Sequence, residues 1–524
     1  MNPTAADWIA LAHRQHAAGM HRKAVRSYQR VLPENLEQLI ALVGRLQQRG
    51  DVLGVEACYD RLLTARPDLA AVRVRLGLLL LGAGRLDEAV LVCDAAPQMT
   101  ARLLGLRGAI AHTKQDIGQA IDVLRQAVRM APNDPWILGN LASALEEGNH
   151  NEEARRMAER ALVEEPGHPL ATSVLSVLDR SSGRADRAAA RLEASLQQTQ
   201  APAERAWMLH GLGIARDRLK DADGAFAAFV EFNDLRRRMN GSPAVTLPAV
   251  LDQQRVLWAA QNEWPQRTVS DDGVDDPVFV VGFPRSGTSL TREMLDAHPG
   301  LLCTDEQRFL PNLLQQHDEM TPAAIAGLSN AQIASMRAQY WASVQAVYPL
   351  GSGVRLVDKL PLNLIHAGLI ARLFPRAHVV VLIRDPRDCC LSGFMQDFKS
   401  NAAMDCFYRL EDAAQLYASV FSLWEQLQQI PELTWTSVRY EDIVDNAEQV
   451  MREALSFLGL PWNDAVLSYA QRAKHRHIGT PSHQDVQKPI FRRSLARWRR
   501  YAHHMEAILP VLEPFAVAHG YPPA

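Results

Sequence analysis

The chain has 524 residues, 47% of them hydrophobic and 22% charged, with a formal net charge of −3 at pH 7. That length is too great for one core and suits two or three domains of ordinary globular composition. A charge so close to zero supplies no global field for nucleic acid or for an anionic membrane, so neither is expected as a partner.

The N-terminus, "MNPTAADWIALAHRQHAAGM", lacks a basic segment followed by an apolar one. The most apolar run, Leu76 to Gly84, is far shorter than the roughly 20 residues that span a bilayer. A cytoplasmic protein with no membrane span is the expectation. Cys58, Cys93, Cys303, Cys389, Cys390 and Cys406 form no CxxC pair and no metal-ligand spacing. They read as reduced core residues.

The first half is helical and repetitive. "AVRSYQRVLP", "ACYDRLLTARP", "AIDVLRQAVRMAP" and "ARRMAERALVEEP" each end a helix in proline, at Pro33, Pro67, Pro132 and Pro166. The first two prolines are 34 residues apart, as are the last two, and Pro97 is a plausible stop between them. Ala89, Ala120 and Ala225 stand where paired helices approach closely. This 34-residue period resembles the tetratricopeptide repeat over about residues 5 to 240, with six or seven repeats. The resemblance implies a curved solenoid whose concave face binds a partner, with a plain spacer as the alternative.

Gly241, Ser242, Pro243 and Pro248 break the pattern, and the polar "QRTVSDDGVDDP" closes the break at Pro277. From Val278 strand and helix signals alternate. "VFVVGF" and "AHVVVLIRDP" are short buried strands, "TSLTREMLDAHP" a helix, "NLIHAGLIARLFP" an amphipathic helix, and "TWTSVRYEDIV" a third strand and turn. The expected architecture is an α-helical tetratricopeptide-repeat solenoid over 1–240, a linker over 241–276, and an α/β P-loop-like domain with a parallel sheet over 277–524.

Gly282 to Gly287 has the spacing of a nucleotide-binding P-loop, between a strand and the helix opened by Thr288 and Ser289. That setting lets backbone N–H groups cradle an anion. A kinase or ATPase would place lysine at 288; here the positive charge sits inside the loop as Arg285. Arg384 leaves the second buried strand, with Ser392 eight residues on. Ligands of open α/β sheets bind beyond the carboxyl ends of the strands, so Arg384 shares the rim with the first loop. Its alternative is an ion pair with Asp385 or Asp388.

"FPRSGTSL", "DKLP", "VVVLIRDPRDCCLSGF", "RYEDIV" and "SHQDVQKPIFRRSLARW" together resemble a sulfotransferase that uses 3′-phosphoadenosine-5′-phosphosulfate (PAPS). The likeness is to tyrosylprotein sulfotransferases and to bacterial tetratricopeptide-repeat sulfotransferases. It implies that Arg285, Ser286, Gly287, Thr288 and Ser289 hold the 5′-phosphosulfate, and that Arg384 and Ser392 hold the 3′-phosphate. Tyr440, the run from Ser482 to Phe491, and Arg497 match further nucleotide contacts. Glu306 matches the family's base, with Asp305 beside it, and Arg308 matches a substrate-contacting arginine. Lys359 and Ser482 match the pair that stabilises the leaving phosphate; a surface pair with Asp358 is the alternative for Lys359. The resemblance implies PAPS as donor, with 3′-phosphoadenosine-5′-phosphate (PAP) as product, and no metal. His475, His477 and His483 fit a basic nucleotide or substrate loop better than a metal site.

The acceptor stays open among a tyrosine in a protein or peptide, a saccharide hydroxyl and a small metabolite. The repeats favour a macromolecular acceptor. Two other classes remain: a P-loop kinase, and a repeat adaptor without activity.

Overall fold

The computed structural model describes residues 4–524, except 34, 242–244, 262–263, 265–272, 318–319, 352, 470–491 and 493. The chain divides into two compact units, Met1–Glu204 and Arg205–Ala524.

In the first unit twelve described helices form six consecutive hairpins, from Ala5–Ala17 with His21–Gln29 to Pro169–Ser181 with Ala185–Leu196. Helices end just before the expected prolines: at Gln29, Ala65, Asp94, Met130 and Glu164. Ala89 and Ala120 are fully buried, which lets neighbouring helices touch along their small-residue faces. Caps fix the starts. Asp51 accepts from the Gly54 N–H, Asp116 from Gln119, and Asp134 from Trp136 and Ile137.

The second unit begins with one more repeat-like hairpin, Pro202–Arg218 and Ala222–Asn240. By sequence this pair continues the repeats, whose period runs to about residue 240. By packing it belongs with the sheet. Ala225 and Phe229 are fully buried in the same apolar cluster as sheet residues Phe279 and Val281. The Asn233 amide donates to the Phe394 carbonyl at 2.9 Å, and the Phe226 ring stacks on Phe394.

Five parallel strands make the sheet: β1 (Val278–Gly282), β2 (Leu301–Cys303), β3 (Arg355–Lys359), β4 (His378–Ile383) and β5 (Thr434–Arg439). Their order is β2-β3-β1-β4-β5. Cys303 is in register with Val357, Gly282 with Leu382, and Ile383 with Arg439. The chain leaves β1 toward β2 on one side and leaves β4 toward β5 on the other. The crevice between the carboxyl ends of β1 and β4 is therefore the topological switch point.

The segment expected as one amphipathic helix is a 3-10 turn over Pro361–His366 followed by a helix over Ala367–Leu373, buried on every face. The reason is crowding from outside the sheet: a Cβ on Gly368 would strike the Trp258 ring, and Arg372 donates to the Ala326 carbonyl at 2.6 Å. All six cysteines are buried and free. No helix among the described residues is long and apolar enough to cross a membrane.

Candidate active site

The first loop leaves β1 at Gly282. A Cβ there would lie 2.6 Å from the Leu382 carbonyl oxygen on β4, so only glycine permits the two strands to stay paired at this point. Arg285 and Gly287 turn the chain through positive φ, 72° and 101°. A Cβ on Gly287 would fall 2.4 Å from the Tyr440 ring. The Thr288–Asp296 helix then starts with no side-chain cap. Its first N–H groups and its dipole point out of the loop, an arrangement that favours an anion. The Ser286 hydroxyl is buried at the same place without a hydrogen-bond partner. Buried polar atoms are rarely left so unless a ligand completes them.

Across the crevice, one residue past β4, Arg384 is 7% exposed. Its Nη1 donates to the Arg285 carbonyl at 2.9 Å and its Nη2 to the Ser494 carbonyl at 2.6 Å. The guanidinium lies 4.7 Å from the centre of the Tyr440 ring, and the Tyr440 hydroxyl is 2.9 Å from Ser494 Oγ. Arg285 Nε donates to Ser392 Oγ at 3.1 Å. The loop after β1, the loop after β4 and the start of the helix after β5 are thus linked side chain to main chain. Of the alternatives for Arg384, the ion pair with Asp388 is formed at 3.9 Å, beyond direct hydrogen-bond reach. Burial pushes the Asp388 carboxyl up to about 6, against the opposing pull of Arg384.

A second group occupies the rim beyond β2 and β3. Lys359, the last residue of β3, is completely buried. Its Nζ lies 2.8 Å from Glu306 Oε1 and 3.7 Å from Asp305 Oδ1. The backbone locks these partners together. The Glu306 N–H donates to the Lys359 carbonyl at 3.1 Å, and the Lys359 N–H donates to Thr304 Oγ1 at 3.0 Å. Glu306 itself takes a positive φ of 50°. Asp358 points to the opposite face of the sheet, where its Oδ2 accepts from the Tyr340 hydroxyl at 2.8 Å. The surface pair between Lys359 and Asp358 is therefore not formed. Glu306 keeps about a third of its side chain exposed.

Not every candidate joins these groups. Arg308 is exposed, just before the Phe309–Gln315 helix. Arg497 turns to Asp217, with Nη2 2.7 Å from Oδ2. Ser482 and the run to Phe491 lie outside the described residues, as do His475, His477 and His483. The structure adds residues that no local pattern marks. Thr304 and Tyr348 brace the Asp305–Glu306 turn, the latter accepting from the Asp305 N–H at 3.1 Å. Ser494 anchors Arg384, and its only signal was its place inside the motif "FRRSLARW".

Residues 277–464 match the model of the sulfotransferase family, and residues 111–178 that of the tetratricopeptide repeat. The chain carries a sulfotransferase domain behind a repeat array. An uncharacterized protein of Aquifex aeolicus (strain VF5) is 27% identical over 433 residues, which cover 75% of this chain and 52% of that one. A protein-tyrosine sulfotransferase of Drosophila melanogaster is 30% identical over 239 residues, covering 42% and 46%. Protein-tyrosine sulfotransferase 2 of Gallus gallus is 28% identical over 244 residues, covering 42% and 62%. The chain thus spans 46 to 62% of the length of these relatives. Among solved structures, the sulfotransferase domain of the Synechococcus PCC 7002 olefin synthase is 20% identical with a TM-score of 0.34, covering 48% of this chain and 98% of that one. Both rim groups of the sulfotransferase domain fall within the matched residues, apart from Ser494.

Proposed function

We propose that this chain transfers a sulfuryl group from PAPS to the hydroxyl of a tyrosine in a protein or peptide. The observation that carries the reading is the pairing, on one sheet rim, of an anion cradle with a buried lysine that meets a partly exposed glutamate. The family match and the relatives named protein-tyrosine sulfotransferases support it.

The residues fit the donor. Backbone N–H groups at Gly287 to Ser289 and the unpartnered Ser286 hydroxyl suit the 5′-phosphosulfate. Arg285 belongs with that 5′-phosphosulfate loop, while Arg384, beyond the neighbouring strand β4, and Ser392, which accepts from Arg285, suit the 3′-phosphate. Tyr440 borders the same crevice. The donor's own chemistry is a sulfur–oxygen bond activated by a phosphate leaving group. In transfer, a bond forms between the acceptor oxygen and sulfur, the bridging sulfur–oxygen bond breaks, and its electron pair departs on the phosphate of PAP.

Glu306 takes the acceptor's proton at its carboxylate. Lys359, excluded from water, opposes the charge that gathers on the leaving oxygen. Arg308, exposed close by in sequence, is assigned to acceptor contact, and Ser482 to the leaving phosphate beside Lys359. The repeats are assigned to recruiting the macromolecular acceptor. The proposed compartment is the cytoplasm, which suits six buried thiols with no disulfide.

Calorimetry with PAP and with ATP tests the donor assignment. PAP should bind at least about tenfold tighter, or roughly 1.4 kcal/mol. Equal affinity, or preference for ATP, favours the kinase reading instead.

A further inference from the structure

Asp217 lies in the Pro202–Arg218 helix, the first helix of the last repeat-like pair. It is mostly buried, and its carboxylate gathers three side chains from one short segment. Arg497 approaches with Nη2 2.7 Å from Oδ2 and Nε 3.2 Å from Oδ1. Arg500 Nη2 is 2.9 Å from Oδ1, and the Tyr501 hydroxyl donates to Oδ1 at 2.7 Å. Arg500 also donates to the Asp217 carbonyl at 3.3 Å.

The other side of that segment is tied to the rim. The Trp498 N–H donates to Asp388 Oδ1 at 2.8 Å, and its indole N–H to Asp385 Oδ2 at 3.1 Å. The Ser494 carbonyl receives Arg384, and the Ser494 hydroxyl meets Tyr440. Between these anchors Ala496 is held at a φ of 49°, a strained value for alanine. Three hydrogen bonds and a further ion-pair contact to one carboxylate therefore fix the segment that fixes the Arg384 guanidinium.

We propose that Asp217 is a positioning residue for the donor's 3′-phosphate, so that the last repeat-like hairpin is part of the transferase and not only of the repeat array. The inference rests on PAPS being the donor. It assigns Asp217 no contact with the nucleotide. It acts through Arg497, Arg500 and Tyr501 on Ser494, and through Ser494 on Arg384.

The test uses the full chain, with PAP and adenosine 5′-monophosphate as probes, which differ by the 3′-phosphate. The unmutated chain should prefer PAP by at least about tenfold. Asp217→Asn should lose about tenfold in PAP affinity and less than about threefold in monophosphate affinity. Charge alone predicts the opposite sign, since removing an anion near an anion site should tighten PAP. Asp217→Glu should restore part of the preference. Tyr501→Phe, which removes one uncharged donor and keeps the ring, should lower the PAP preference about threefold; it decides the matter if Asp217→Asn does not fold. Parallel losses for both nucleotides, or an unchanged ratio in these variants, overturn the proposal. An unmutated chain with no preference for PAP overturns the donor reading, and this inference with it.

Discussion

Lys359 Nζ and Glu306 Oε1 stand 2.8 Å apart although 53 residues separate them in the chain. The lysine is completely buried and the glutamate is partly open, so the pair joins a cation that water does not reach to a carboxylate that is open on one side. A buried ammonium without its partner would be costly, which is why Glu306 is held by backbone as well as by charge.

Glu306→Gln keeps the size of the side chain and an oxygen to accept from Lys359, and removes the base. Sulfate transfer should fall about 10²- to 10⁴-fold. PAP affinity should change less than about threefold, because Glu306 is absent from the anion cradle. Lys359→Met keeps the buried stem and removes the charge, and should also slow transfer. Rates with radiolabelled donor, set beside calorimetry with PAP, check both; a Glu306→Gln rate equal to the unmutated rate moves the base to Asp305.

Arg384 should prove specific in its geometry, not only in its charge. It serves two carbonyls at once, those of Arg285 and Ser494. A lysine cannot span both in one plane. Arg384→Lys should therefore lose PAP affinity almost as fully as Arg384→Ala, about tenfold or more. Retention of PAP affinity by the lysine variant would show that a point charge suffices.

Three strands proved legible in sequence: β1 and β4, buried on both faces, and β5 within "TWTSVRYEDIV", which is largely part-exposed. β1 and β4 are continuous apolar runs, and the short 34-residue period placed most helix ends. β3 reads "RLVDK", and two of its three charged residues, Asp358 and Lys359, interrupt the apolar run that would have marked it. Both find partners far away, Asp358 at Tyr340 and Lys359 at Glu306. β2 is three residues long and carries too little pattern to see. The candidate site could be drawn from sequence where its residues form contiguous motifs, as at 285–289 and 384–392. Asp217 and Tyr348 were not legible, since their partners lie 280 and 43 residues away.

A cut at residue 270, which the polar linker invites, should produce a poor protein. It removes Phe229 and Leu251 from the core they share with the sheet, roughly 1.5–3 kcal/mol of burial each. It also removes the Asn233 bond to Phe394 and the contacts of Asp217 and Asp223 with the C-terminal segment. A fragment covering 205–524 should be soluble and unfold in one cooperative transition, whereas 270–524 should aggregate or unfold well below it. Thermal unfolding followed by circular dichroism distinguishes them.

Asp358 gives the fold a dependence on pH. Burial raises its carboxyl to about 7, from 3.8 when unfolded. Between about pH 4 and 7 the folded chain keeps a proton there that the unfolded chain has lost. Stability from this group is therefore present at low pH and falls as pH rises through 7, by up to about 1.4 kcal/mol per pH unit. Asp358→Asn should flatten that slope in denaturant titrations at pH 5 to 8. A slope unchanged by the substitution would mean that Asp358 is charged throughout.

The most direct measurement is transfer itself. The full chain, given PAPS labelled with ³⁵S and a tyrosine-containing peptide, should deposit label on that tyrosine and on no peptide in which it is phenylalanine. The label should vanish with Glu306→Gln, while PAP still binds. Absence of sulfate transfer from PAPS to any hydroxyl acceptor, together with phosphate transfer from ATP by the same protein, would contradict the account.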